Sequence, residues 1–171
     1  AIGLAFLAVG WIVYDLLCRS PLGRREPILA AVMLALCTVA AYALTQLYSG
    51  RGAYIHFGAM LGTIMTANVF FVIIPSQRAL VQAKERGLAP DPVHGLRGKQ
   101  RSVHNTYFTL PVLFTMISNH YALFTNAKWN WLVLMAIALA GVLTRLSPPF
   151  RHRGIVTPSC WAIGIALLAA V

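Results

Sequence analysis

An all-α bundle of about six membrane-crossing helices is the fold class this sequence predicts, and three observations carry it. Of its 171 residues, 58% are hydrophobic and only 11% are charged, whereas a soluble domain carries roughly 25% charged residues. The mean hydropathy is +0.70. Several apolar runs approach the ~20 residues that a helix needs to cross ~30 Å of hydrocarbon. The alternating segments of about ten residues that mark a membrane β-barrel are absent.

The runs follow one another with short polar gaps. The first covers residues 1–17 and ends at CRSPLGRREP. The second covers residues 28–48 and ends at the tight turn SGRG. The third, residues 53–74, is expected to stop at Pro75, because proline removes a backbone donor and clashes with the preceding turn. Residues 76–103 then read as a basic loop, since the Gly and Pro in GLAPDPVHGLRGK argue against a further helix. The fourth run covers residues 104–124 and the fifth residues 129–146, followed by SPPFRHRG; the sixth begins near Ile155. Both ends open inside apolar runs, with no basic leader before the first. The chain therefore reads as a single transmembrane domain over residues 1–171, a fragment of a longer protein.

Charge orients the bundle. Helix ends alternate sides, so the gaps fall into two sets. Twelve of the 14 Lys and Arg residues fall in one set, and only Arg51 and Lys128 in the other. The positive-inside rule makes the rich side, with residues 76–103, cytoplasmic. A net charge of +10 needs no nucleic-acid partner on this reading. The basic residues sit in gaps beside lipid head groups and form no basic stripe.

Polar residues inside spans are expensive and default to a functional hypothesis. They concentrate in the third and fourth runs, AYIHFGAMLGTIMTANVFFVIIP and RSVHNTYFTLPVLFTMISNHYALF. The two runs form an antiparallel hairpin, which puts His56 and His120 at similar depth near the outer edge. His104 lies 16 residues before His120, roughly 24 Å along a helix, so those two cannot share one metal. His56 and His120 are the expected pair: axial ligands of a b-type haem, with Arg51 neutralising a propionate. The alternative is that each imidazole hydrogen-bonds at the interface. Arg101, His104, Asn105 and Tyr107 cluster at the inner start of the fourth run, with Asn68 and Asn119 as further polar groups. That set suits a planar, polar, anionic heterocycle, with His104, Asn105 and Tyr107 in catalytic roles and Arg101, Asn68 and Asn119 binding substrate. It equally suits a helix start anchored at the head groups. Gly58 and Gly62 form a GxxxG expected to face a partner helix. Pro111 should bend the fourth helix, either opening a polar cavity or adjusting packing.

Other chemistries are excluded. There is no Walker A, GxGxxG, HExxH or nucleophile elbow. Only four acids, Asp15, Glu26, Glu85 and Asp91, are present, so paired-carboxylate catalysis has no basis. Cys18, Cys37 and Cys160 make no CxxC, and no CxxCH is present.

The stretches RGAYIHFGAMLGTIMTANVFFVIIPSQ and KQRSVHNTYFTLPVLFTMISNHY, with WIVYDLLCRSPLG and WNWLVLMAIALAG, resemble the membrane domain of the bacterial membrane-bound urate oxidases, or urate hydroxylases. The resemblance runs from about Trp11 to Arg153. It implies a multi-pass oxidoreductase of purine catabolism in the bacterial inner membrane. Such a protein oxidises urate and passes electrons to a C-terminal cytochrome c domain, whose c-type haem would lie beyond this chain, as would earlier helices. The alternative is a haem-b-binding or anchor subunit of a respiratory electron-transfer complex without urate chemistry. The expected partners are the bilayer, a c-type cytochrome domain or subunit, and urate.

Overall fold

The structure of the protein is a computed structural model that describes residues 2–152 and 166, leaving aside the side chains of Asn119 and of residues 146–152. The described residues form an all-α bundle without strands. Its long helices are α1 (Ile2–Arg19), α2 (Glu26–Leu47), α3 (Gly50–Glu85), α4 (Pro92–Ile117) and α5 (Asn130–His152). By length and composition α1, α2 and α3 could each cross a membrane. The sixth helix expected from Ile155, and Cys160, lie outside the described residues.

Local chemistry sets the breaks. Ser20 ends α1: its hydroxyl donates to Leu17 O at 2.7 Å and accepts from Leu22 N at 3.2 Å, which starts the short 3-10 turn Pro21–Arg24. Pro27 sits in the first turn of α2, where its missing N–H costs nothing. Gly87 takes φ +68 just past the end of α3, a left-handed value that favours glycine. Asp91 then caps α4, its carboxylate accepting from Val93 N at 2.9 Å.

Residues 76–103 correct the sequence reading: they are not an irregular loop. α3 runs through Pro75 to Glu85, and only residues 86–91 separate it from α4. The reason lies in Val69–Ile73, which form a π-helical turn immediately before Pro75. A wider turn relieves the clash and the lost donor that would otherwise end a helix at proline. Gly98 sits within α4 against α3, where a Cβ would come 3.3 Å from the Ser76 Cβ. The glycines that argued for a loop thus serve a turn and a close helix contact.

α3 is the central helix. It packs against α1, α2 and α4, and α5 closes the bundle against α2 and α4. Tyr54, Phe57, Leu61 and Ile64 of α3 join Tyr14, Ala41, Leu44 and Leu134 in the core. At the end opposite the basic one, Tyr54 donates to Asn130 O at 2.7 Å and Phe124 O at 3.1 Å, tying α3 to the start of α5. Leu4, Val9, Ile12 and Leu16 of α1 and Leu34, Leu36 and Val39 of α2 stay exposed, as suits faces solvated by lipid.

The antiparallel α3–α4 hairpin is present. Gly58 meets Thr115 and Asn68 meets Asn105, ten residues apart along each helix. A Cβ at Gly58 would collide with Thr115 Oγ1, so glycine is required there; around Gly62 nothing lies within 4 Å. The expectation that both glycines face a helix is therefore corrected for Gly62.

Candidate functional site

A group of buried polar side chains gathers near the basic end of the bundle, where α1, α3 and α4 meet. α1 contributes Tyr14, Asp15 and Cys18, spaced so that they share one helical face with Trp11. α3 contributes Asn68, the last residue before the π turn. α4 contributes Arg101, His104 and Asn105, again one face. Asn68 is fully buried, and Arg101, Tyr14 and Asp15 are buried as well.

These groups form one hydrogen-bonded chain. Asn105 donates its Nδ2 to Met65 O at 3.0 Å. Asn68 donates its Nδ2 to Asn105 Oδ1 at 2.9 Å and to the Tyr14 hydroxyl at 3.1 Å. The Tyr14 oxygen lies 2.8 Å from His104 Nδ1, and Cys18 Sγ lies 3.9 Å from the same nitrogen. We take the Tyr14 hydroxyl as the donor to His104 Nδ1, the tautomer in which that nitrogen accepts. His104 is then neutral with its proton on Nε2.

A second network holds the cation. Arg101 Nη2 donates to Asp15 Oδ1 at 2.8 Å, and its guanidinium carbon sits 4.8 Å from the centre of the Tyr14 ring. The other Asp15 oxygen takes the Arg19 Nε at 2.6 Å, on a side chain 65% exposed. Arg19 therefore leads from the buried pair to the surface at the basic end.

Three buried atoms in this region have no protein partner: Arg101 Nη1, Asn68 Oδ1 and Trp11 Nε1. Such groups carry a desolvation cost and call for an explanation. Two surface grooves among the described residues lie elsewhere: one of about 510 Å³ along α3 from Ile73 to Glu85, the other of similar size around Phe124 and Val133.

The structure brings Arg101, His104, Asn105 and Asn68 together. Tyr107 lies one turn beyond His104, half-buried on the flank of that face. The Asn119 side chain lies outside the described residues. Sequence reasoning missed Tyr14, Asp15, Cys18 and Trp11. Their i, i+3, i+4, i+7 spacing around an acid was the available signal.

His56 and His120 are at comparable depth but have different neighbours. His56 is turned toward α1: its Nδ1 bonds Gly52 O at 2.8 Å, its ring stacks on Tyr48 at 4.3 Å, and its Nε2 would lie 2.7 Å from a Cβ at Gly3. His120 is exposed in the 3-10 turn Ser118–His120 after α4. Arg51 is exposed at the start of α3. A haem held by His56 and His120 does not fit these residues, because the free Nε2 of His56 abuts the α1 backbone. Among the described residues no group of three or more His, Cys, Asp or Glu side chains is placed to hold a metal ion.

Fold and site together define a multi-helix membrane domain with a buried polar cluster at one end. The chain belongs to the urate oxidase N-terminal family, which it matches over residues 1–171. Comparison with curated proteins and with solved structures gives no match.

Proposed function

We propose that this chain is the urate-oxidising membrane domain of a cytochrome-linked oxidase, with urate bound at the cluster of Tyr14, Asn68, Arg101, His104 and Asn105. The observation that carries the reading is the pair of unpaired buried atoms, Arg101 Nη1 and Asn68 Oδ1. The first is a cationic donor suited to an oxygen of the urate monoanion. The second is an acceptor suited to a ring N–H. Family membership supports urate as the substrate.

This chain's residues take the proton, and the electrons leave for a c-type cytochrome. The urate monoanion loses two electrons and one proton to give neutral dehydrourate, and a c-type cytochrome takes the electrons one at a time. The Tyr14 oxygen accepts the proton as Tyr14 passes its own to His104 Nδ1, which becomes an imidazolium. Water adds to dehydrourate afterwards. The charge bias of the polar gaps supports a cytoplasmic position for this end of the helices in a bacterial inner membrane.

The test is urate-dependent reduction of cytochrome c by the full-length protein. Arg101→Gln should raise KM at least about tenfold, the cost of losing a charge-assisted hydrogen bond. Tyr14→Phe should lower kcat with a smaller effect on KM, by breaking the proton route. Unchanged kinetics in both variants would refute the site.

A further inference from the structure

The amide chain fixes which way Asn68 faces. An asparagine can usually be flipped without visible consequence, but here the order is set from a backbone carbonyl. Met65 O can only accept, so the group of Asn105 facing it at 3.0 Å is the NH2. Asn105 Oδ1 therefore faces Asn68 at 2.9 Å, and Asn68 must present its own NH2 there. Its second N–H goes to Tyr14 at 3.1 Å. Both donors of Asn68 are spent, and its Oδ1 is left buried and unpaired. Rotating the amide would set oxygen against oxygen at Asn105.

From this lock we propose that Asn68 is the specificity-determining acceptor of the site: its Oδ1 takes one ring N–H of the substrate and refuses a ligand methylated at that nitrogen. The inference rests on the urate reading of the same cluster and goes beyond it. A site built around a locked, desolvated acceptor rejects an analogue that lacks the matching donor far more strongly than an apolar wall would, because the acceptor is left unpaired. A methyl group in place of the hydrogen adds a steric clash to that loss. Asn105 and the Met65 carbonyl act as positioning groups, since Asn105 engages its Oδ1 with Asn68 and its Nδ2 with Met65 O in holding the amide.

The experiment titrates full-length protein in detergent with urate and with the four monomethyl urates substituted at N1, N3, N7 or N9. No electron acceptor is present, so calorimetry reads binding and not turnover. The parent protein should bind one isomer at least about 100-fold more weakly than urate. Asn68→Ala should shrink that isomer's ratio to under about tenfold, since removing the locked acceptor removes most of the penalty. Asn105→Ala keeps Oδ1 but frees the amide to rotate, and should lower the same ratio by a smaller factor even if the first variant fails to fold. Urate binding that is lost in Arg101→Gln, with isomer ratios unmoved in both asparagine variants, would overturn the inference and leave the site standing. Failure of urate to bind the parent protein would overturn both.

Discussion

Replacing Asp15 by alanine strips the buried Arg101 of its carboxylate. The two side chains are 4% and 10% exposed and meet at 2.8 Å, so little water can take over the lost charge. Removing one partner of a buried ion pair costs about 3–5 kcal/mol, most of it the penalty of a buried, uncompensated charge. Arg19 offers an internal comparison. It bonds the same carboxylate at 2.6 Å from a side chain 65% exposed, and an exposed partner of that kind contributes about 1 kcal/mol or less. Arg19→Ala should therefore be nearly silent, whereas Asp15→Ala should bring the protein close to unfolding. Removing both buried charges together, Asp15→Leu with Arg101→Met, should restore most of the stability, since a buried pair is worth little against apolar packing. Equilibrium unfolding of the full-length protein in mixed micelles measures all three. If Asp15→Ala costs no more than Arg19→Ala, Arg101 has found water or another partner and the buried network is misdescribed.

Gly58→Ala should destabilise by about 1–3 kcal/mol, because the new methyl collides with Thr115; Gly62→Ala, with open space around it, should be neutral or stabilise by up to ~1 kcal/mol through helix propensity, and equal melting shifts would contradict the packing described. Full-length protein carrying both His56→Ala and His120→Ala should keep the haem absorbance of its parent; loss of absorbance would restore the axial pair. Cys18, half-buried and 3.9 Å from His104 Nδ1, should react more slowly with maleimide when urate is present, by about tenfold at ten times the Kd if occupancy blocks access; an unchanged rate would place urate elsewhere.

Much of this architecture is legible in the sequence, because lipid-facing helices must be long and apolar. The α3–α4 hairpin follows from two polar-bearing runs joined by one basic segment, and Arg101, His104 and Asn105 announce one helix face by spacing alone. Pro75 misleads because its ordinary effect is to end a helix, and the VFFVI turn that absorbs it has no compositional mark. The histidine pair fails on angle, not on depth. His56 lies two residues from Tyr54, which is about 200° around a helix, and Tyr54 and Gly58 occupy the face that meets α4. Asp15 is hard to single out in the sequence, because an acid near the basic end of an apolar run resembles a head-group anchor. Its burial against Arg101 needs the approach of α4, a contact 86 residues away in sequence that no local pattern encodes.

The central claim is that substrate binds where α1, α3 and α4 converge. A structure of the full-length protein with urate, determined by electron cryo-microscopy, tests it most directly. The account predicts a planar density within hydrogen-bond distance of Arg101 Nη1 and Asn68 Oδ1, with Tyr14 and His104 beside it. Urate seated instead in the groove along Gln77 and Arg78, or beside Phe124, with Arg101 Nη1 bound only to water, would contradict it.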